Sequence, residues 1–273
     1  MDKDLEAIAQ RLITLTSSSK AKETDLKNQT STKTNTCKKC GGRGHILEGN
    51  TAKECDCLAE QSYQRMIKNS GIVGSFLEIG FKEFDVENRH ETIKNAKVKA
   101  MNYYKAFKDI RGDRHNSIAF LSKNIGGKKT GIGTGKTHLS IAIANNIMRK
   151  YGIATVYMPY RDVITRLKQN MIDEEYYQRE VGKYKNAGLL LIDDLFKGKV
   201  NDTDINIMFE VVNHRYFNHL PIICSSEFGV NELIDFDEGV GSRILQMSEK
   251  YLVEIGLAPE ELKEVRTINY RLT

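Results

Sequence analysis

The sequence predicts an α/β fold in which helices cover both faces of a parallel sheet. Short apolar runs, typical of buried parallel strands, alternate along the chain with stretches whose apolar residues recur at helical spacing. Polar residues follow several of these runs, and ligands bind at the carboxyl ends of parallel strands. The expected strands are 117–121, 154–158, 188–194 and 220–225, and the expected helices are 91–110, 136–150, 160–170, 201–218 and 238–250.

The composition is that of an ordinary globular protein. Of the 273 residues, 40% are hydrophobic and 28% are charged, and the net charge is +5. No apolar run approaches the roughly 18 residues of a membrane span, and the N-terminus is charged from residue 2, unlike a signal peptide. We therefore expect a cytoplasmic protein without a membrane partner, in which thiols stay reduced.

The charges are unevenly distributed along the chain. Residues 91–136 hold eleven Lys and Arg against three Asp and Glu, whereas residues 227–264 hold three against ten. The basic segment is either a solvated face or a surface that meets a polyanion.

The first 36 residues differ in character from the rest. Residues 1–16 have apolar side chains at helical spacing, which predicts a short amphipathic helix. Residues 17–36 contain Ser, Thr, Lys and Asn with almost no apolar side chain, which indicates a flexible linker. The helix would either dock on the main body or recognise a partner.

Four cysteines in two close pairs follow the linker. Fourteen residues, which include a glycine-rich turn, separate Cys37 and Cys40 from Cys55 and Cys57. Two such pairs can close a tetrahedral zinc site, and metal binding stabilises a module too small for its own core. His45 is an alternative ligand, and without metal the four thiols would be a reduced set or contain a redox pair. We expect residues 37–70 to form this module with its exit helix, and 71–273 to form the main domain.

Residues 71–110 lead into the expected sheet. Phe76, Phe81 and Phe84 either wall an adenine pocket or simply pack in the core. The helix 91–110 is basic, and its spacing predicts an inner side formed by Ile93, Val98, Met101, Tyr104 and Phe107.

Residues 130–137 read TGIGTGKT and lie between an expected strand and an expected helix, which is the setting of a phosphate-binding loop. Glycines let successive backbone N–H groups face a polyphosphate, and the helix N-terminus adds positive charge. Lys136 would reach the β and γ phosphates of a nucleotide, and the Thr137 hydroxyl would bind Mg²⁺. Thr130 stands where the common pattern has glycine, and residues 122–129 form an excursion before the loop. The expected nucleotide-binding residues are Gly131, Gly133, Thr134, Gly135, Lys136, Thr137 and His138.

The apolar run 188–194 ends in two carboxylates, Asp193 and Asp194. A buried parallel strand would carry Asp193 to the edge of the sheet, where it can hold Mg²⁺ through water. Asp194 can then orient the water that attacks the terminal phosphate. This pair is what a nucleotide-hydrolysing site needs after a phosphate-binding loop.

Taken in order, these motifs resemble a known family. The cysteine module, TGIGTGKTHL, LLLIDDL, PIICSSE and VGSRI, over roughly residues 37–250, look like those of the DnaC/DnaI family of replicative helicase loaders, AAA+ ATPases of bacteria and their phages. The resemblance implies an AAA+ P-loop fold after a small helical, zinc-binding module. It implies ATP, Mg²⁺ and Zn²⁺ as cofactors, the replicative DNA helicase and single-stranded DNA as partners, and a homo-oligomer in the ATP-bound state.

The resemblance also implies roles for individual residues. Ser226 and Glu227 lie in the stretch that senses the γ-phosphate, and Arg243 matches the arginine finger offered to a neighbouring subunit's nucleotide. Asp194 stands where glutamate is usual, and Glu227 where asparagine is usual, which together imply slow, switch-like hydrolysis. The C-terminal tail does not have the usual context of a second sensor arginine.

Two other functions fit the same motifs. A transposition helper ATPase of the same superfamily would share every ATP-binding residue, and the cysteine module with its helical extension favours the loader over it. A zinc-dependent DNA-binding protein whose P-loop no longer hydrolyses ATP belongs to a different class. ATPase assays with and without single-stranded DNA separate that protein from both enzymes.

Overall fold

The computed structural model of the protein describes residues 37–49, 51–125 and 128–271. The helix expected at 1–16 and the linker expected at 17–36 therefore lie outside the described residues. The chain divides into two compact units between Leu58 and Ala59. The assignment of residues 37–70 to one functional module stays a prediction.

The smaller unit contains an antiparallel pair of short strands, β1 (His45–Glu48) and β2 (Thr51–Glu54). The helix that follows, α1 (Cys57–Ser70), begins in this unit and continues in the larger one. One cysteine pair precedes β1 and the other follows β2, so the pairing of these strands brings the two cysteine pairs together.

A five-stranded sheet organises the larger unit. Its strands are β3 (Ile118–Ser122), β6 (Thr155–Pro159), β7 (Leu189–Leu195), β8 (Ile222–Ser226) and β9 (Leu252–Ile255). All neighbouring strands are parallel, and their order across the sheet is β6-β7-β8-β3-β9, so β9 is an edge strand. The last of these has no counterpart in the sequence prediction, because it is only four residues long and lies at the sheet edge.

Helices cover both faces of the sheet, as predicted. Along β3, Ala119 and Leu121 face one core, while Ile118 and Phe120 face the other, because successive side chains of a strand alternate. The helices α2 (Glu91–Ile110) and α3 (Lys136–Tyr151) pack in the second of these cores. The first core contains α4 (Tyr160–Gln169), α5 (Glu174–Asn186), α6 (Asp202–Phe217), α7 (Val230–Phe236) and α8 (Glu238–Met247). A short helix, α9 (Val265–Ile268), lies near the C-terminus.

The buried stripe of α2 differs from the predicted one. Its buried residues are Ile93, Ala96, Ala100, Tyr103 and Phe107, whereas Val98 is 55% exposed. The prediction was wrong about Val98 because it ignored alanine, and two alanines at helical spacing define the inner face here.

The three phenylalanines before α2 pack against other aromatic rings. Phe76 meets the ring of Tyr157, with ring centroids 6.2 Å apart. Phe81 packs against the ring of Tyr104, with centroids 5.7 Å apart. The sequence left open whether these phenylalanines wall an adenine pocket or pack in the core, and these contacts support core packing.

Arg215 on α6 fixes the chain where β7 and β8 begin. Its guanidinium is fully buried and donates to the carbonyl oxygens of Tyr184, Lys185, Ala187 and Pro221 at 2.7–3.1 Å. Burial lowers the pKa of Arg215 to about 9, so the side chain stays charged at neutral pH. Because it anchors the segments that enter both strands, Arg215 helps set the register in which their carboxyl ends meet.

Candidate nucleotide site

The predicted P-loop connects the sheet to the N-terminus of α3. Gly135 caps this helix in the left-handed conformation with φ 80°, and Gly133 has φ 72°. A Cβ atom on Gly135 would lie 2.5 Å from the ring of Phe84, and one on Gly133 would meet the side chain of Asn269. Only glycine fits both positions, as expected of a loop whose backbone approaches a ligand.

The described residues of the excursion before the loop include two short strands. Residues Asn124–Ile125 (β4) and Lys128–Lys129 (β5) pair antiparallel. Thr130, which replaces the common glycine, donates its hydroxyl hydrogen to Lys123 O at 2.5 Å and accepts from Leu257 N–H at 3.3 Å. Its side chain therefore ties the loop to the segment that follows β9, which glycine could not do.

Lys136 is buried at the first turn of α3. Its side chain is covered so that the residue is 7% exposed, and Nζ donates to Ser122 Oγ at 3.0 Å and to Gly131 O at 2.5 Å. Burial lowers the pKa of Lys136 to about 8, which leaves it charged at neutral pH. Among the described residues, the hydrogen-bond partners of this ammonium are neutral oxygens, which it can exchange for phosphate oxygens.

Asp193 lies near the carboxyl end of β7 and joins this strand to three other elements. Its Oδ1 accepts from the hydroxyls of Thr137 at 2.8 Å and Ser225 at 2.6 Å, and its Oδ2 accepts from Tyr157 at 3.2 Å. Burial raises the pKa of Asp193, and the hydroxyl donors oppose that effect. Ser225 was not predicted as a site residue, although it lies next to the predicted Ser226.

The Thr137 hydroxyl and the Asp193 carboxylate fit a magnesium ion. Both offer the hard oxygen ligands that Mg²⁺ prefers, and they lie side by side at the end of the sheet. Mg²⁺ also retains several waters and bridges to substrate phosphates, so two protein oxygens suffice. These residues would hold the ion beside the P-loop.

The chain turns sharply after Asp193. The pairing of β7 with β8 shifts register between Ile192 and Leu195, and Asp194 and Phe196 both have positive φ, at 57° and 60°. The Asp194 N–H is held by Ser225 Oγ at 2.9 Å. Lys197 Nζ then pairs with Asp194 Oδ2 at 2.8 Å and with Glu227 Oε1 at 3.1 Å.

These groups line one cavity of about 190 Å³ at the carboxyl ends of the strands. The predicted residues among its lining are Gly133, Thr134, Gly135, Lys136, Thr137, Asp194 and Glu227. Sequence reasoning missed Lys197, Tyr270 and Arg271, which line it as well. Two further predicted residues contact the lining residues. The Gly131 carbonyl oxygen accepts a hydrogen bond from Lys136 Nζ, and the Asp193 carboxylate accepts one from the Thr137 hydroxyl.

Two predicted residues are engaged elsewhere. His138 Nε2 lies 3.1 Å from Gly80 O, and its ring packs on Phe84. The Ser226 hydroxyl is buried and donates to Leu195 O at 2.9 Å, so it holds β8 to the turned end of β7. This stretch therefore reaches the cavity through Glu227.

The C-terminal segment reaches back to the P-loop. The Tyr270 N–H donates to Gly133 O at 2.9 Å, and its ring packs on Phe84 with centroids 5.2 Å apart. The Arg89 guanidinium lies 4.1 Å from the centre of the same ring. This long-range contact gives Arg271 a place at the cavity that no local sequence pattern indicates.

Arg243 lies on α8. Among the described residues, those that line the cavity do not include Arg243. Its Nε donates to Asn213 Oδ1 at 3.0 Å, and its Nη1 donates to Gly239 O at 2.7 Å. The guanidinium also packs over the rings of Phe209 and Tyr216. These contacts orient a partly buried guanidinium. To contact a nucleotide bound by its own chain, Arg243 would have to adopt a different position.

The four predicted cysteines in the smaller unit form a compact cluster. The Sγ atoms of Cys37, Cys40, Cys55 and Cys57 all lie within 4.8 Å of one another. Sγ of Cys37 is 3.7 Å from that of Cys55, and Sγ of Cys40 is 3.4 Å from that of Cys57. Ligands about 2.3 Å from a tetrahedral zinc would be about 3.8 Å apart, so the cluster fits the ion. His45 is outside the cluster, with Nδ1 3.4 Å from Arg43 O.

Comparison with known proteins agrees with this geometry. Residues 117–238 match the family model of the IstB-like ATP binding proteins. The phage-like element PBSX protein XkdC of Bacillus subtilis (strain 168) is 37% identical over 235 residues, which cover 83% of this chain and 84% of that protein. The chain belongs to the IstB/DnaC-type family of AAA+ ATP-binding proteins.

Solved structures show the same AAA+ fold. The crystal structure of the DnaC helicase loader superposes with a TM-score of 0.55 at 20% identity. The matched region covers 67% of this chain and 99% of the DnaC chain. The DnaI crystal structure gives a TM-score of 0.52 at 18% identity, with 66% and 92% covered. None of the helices in the described ranges is both long and apolar enough to span a bilayer.

The cysteine cluster predicts close to one equivalent of zinc per chain in protein purified without chelator. Replacing Cys37 and Cys40 together by serine should release the metal and remove hydrogen-exchange protection from β1 and β2, because metal binding and folding are coupled in so small a unit. ATP binding should persist, since the nucleotide cavity belongs to the larger unit.

Cys224→Ala is the matched control for this experiment. Cys224 is buried in β8, outside the cluster, so its replacement should leave the zinc content unchanged. Wild-type protein without zinc, or full zinc content in the double serine variant, would contradict a four-cysteine zinc site.

Proposed function

We propose that this protein binds ATP with Mg²⁺ at the P-loop cavity and uses slow hydrolysis to control the loading of a replicative DNA helicase onto single-stranded DNA. The observation that carries the proposal is that the P-loop places Lys136 next to Thr137, whose hydroxyl donates to Asp193 at the end of the sheet. The arrangement supplies an ammonium for the phosphates and oxygen ligands for the cation at one end of the sheet.

Nucleotide binding would begin with an exchange of partners at Lys136. Its ammonium leaves the neutral oxygens of Ser122 and Gly131 for the β and γ phosphates, where charge-assisted hydrogen bonds are stronger. The P-loop backbone and the N-terminus of α3 add further N–H donors. When bound, Mg²⁺ would neutralise charge on the phosphates beside Thr137 and Asp193.

Hydrolysis requires a group that orients water toward the γ-phosphate. Asp194 is in the cavity lining and has a fixed backbone, because its N–H is held by Ser225. Its side chain is one methylene shorter than the glutamate usual at this position, and it is bound by Lys197. Both features favour a slow reaction, which suits a switch better than a motor.

The loader role extends this activity to partners. It is supported by membership of the IstB/DnaC-type family and by the likeness of the fold to a structure described as a helicase loader. The N-terminal part with its cysteine cluster would bind the helicase, and ATP-dependent assembly of several copies would expose a surface for single-stranded DNA. The basic segment 91–136 is suited to contact phosphates.

Arg243 would complete the nucleotide site of a neighbouring copy. If so, Arg243→Ala should bind ATP nearly as well as the wild type but lose assembly-dependent hydrolysis by at least about tenfold, because the guanidinium stabilises charge on the transferring phosphoryl group. Mixing Arg243→Ala with Lys136→Ala should restore part of the activity, since an intact arginine then faces an intact P-loop. The readout is phosphate release in the presence of single-stranded DNA.

Asn213→Ala is the control for the contacts of Arg243 within its own chain. It removes the acceptor of the Nε hydrogen bond but keeps the guanidinium, so hydrolysis should be largely retained. Loss of ATP binding by Arg243→Ala alone would contradict the role in a neighbouring site. The same holds for mixtures that co-assemble without recovering activity.

Capture by the immobilised replicative helicase of the host tests the loader function. Wild-type protein should be retained, and the amount retained should differ between ATP and ADP. Lys136→Ala should remove that difference, and the double serine variant of Cys37 and Cys40 should reduce capture itself. Binding to DNA without binding to the helicase, in protein shown to bind ATP, would favour the transposition helper.

A further inference from the structure

Lys197 occupies an unexpected position in the nucleotide cavity. It lines the same cavity as the P-loop, two positions beyond the end of β7. Its Nζ is 2.8 Å from Asp194 Oδ2 and 3.1 Å from Glu227 Oε1, so one ammonium bridges two carboxylates. The hydrogen bonds to these acids outweigh partial burial and raise the pKa of Lys197, which is therefore charged at neutral pH.

The turn that presents Lys197 is held by backbone and ring contacts, whereas the Lys197 side chain is partly exposed. The Lys197 N–H donates to Asp194 O at 3.0 Å, and Phe196 is 2% exposed among the rings of Tyr160, Phe228 and Phe236. The side chain of Lys197 is nevertheless 38% exposed. The ammonium can therefore change partners without disturbing the core.

The two carboxylates create an electrostatic problem for a triphosphate site. Asp194 and Glu227 both line the cavity, and carboxylates close to a polyanion repel it. The backbone of Glu227 is also held in place, because the Asn124 side chain donates to the Glu227 main-chain carbonyl oxygen at 3.0 Å. A cation placed between the two acids offsets their charge and faces the ligand at the same time.

We propose that Lys197 is a ligand of the terminal phosphate of a nucleoside triphosphate, so that this site distinguishes ATP from ADP through a lysine of its own chain. The inference rests on the proposed nucleotide binding. Lys136 belongs to the P-loop and serves the β and γ phosphates together, whereas Lys197 approaches from the side of the cavity that carries Asp194 and Glu227. Glu227 then acts as the partner that aims Lys197.

Affinities of Lys197→Ala for a non-hydrolysable ATP analogue and for ADP, both with Mg²⁺, test this assignment. Loss of a charge-assisted hydrogen bond should weaken binding of the analogue by about tenfold, while the ADP affinity stays within about threefold of the wild type. Lys199→Ala is the matched control, because Lys199 is an exposed lysine of the same loop outside the cavity lining. It should change neither affinity.

A second background separates phosphate binding from simple neutralisation of the acids. In protein carrying Asp194→Asn and Glu227→Gln, no carboxylate needs the ammonium, yet Lys197→Ala should still weaken binding of the ATP analogue by about tenfold relative to ADP. Equal analogue affinity with and without Lys197 in this background would overturn the proposal. So would an equal loss of analogue and ADP affinity in Lys197→Ala alone.

The experiment also distinguishes this inference from the function on which it rests. If the wild type binds neither nucleotide, or Lys136→Ala binds both as the wild type does, the P-loop site itself is wrong. If the wild type binds both and Lys136→Ala loses them, while Lys197→Ala keeps the wild-type ratio of affinities, only the role of Lys197 is wrong.

Discussion

The carboxylate of Asp193 is the contact on which the candidate site depends. It is buried at the end of β7, where an isolated charge would be strongly destabilising, and hydroxyls from three other elements satisfy it. Tyr157 comes from β6, Ser225 from β8, and Thr137 from the first turn of α3. The same hydrogen bonds therefore fix the position of the P-loop relative to the carboxyl ends of the strands.

The geometry beyond Asp193 follows from this anchor. Because the Asp193 side chain is held inside, the backbone leaves the sheet through a register shift and two residues of positive φ. Such backbone strain persists only where surrounding contacts impose it. Phe196 packs between neighbouring rings and holds the turn, so that Asp194 and Lys197 face the cavity. Burial of a charged Lys136 likewise costs stability, and phosphate binding would offset that cost.

Local patterns predicted the parallel sheet, the helices on both faces and the P-loop between strand and helix, because each depends on periodicity or on a short motif. The patterns failed where distant segments meet. Nothing near Tyr270 or Arg271 indicates that the tail returns to Gly133. Ser226 was predicted to lie near the nucleotide, but Ser225 contacts Asp193, and neighbouring strand residues point to opposite faces.

The magnesium dependence of ATP binding tests most directly whether the end of β7 and the P-loop form one site. In the wild type, Mg²⁺ should strengthen ATP binding by about tenfold or more, and Asp193→Asn should remove most of that gain, since it removes the ligand charge. Asp235→Asn, at an exposed position, should keep it. The same gain in folded Asp193→Asn protein as in the wild type would contradict the account.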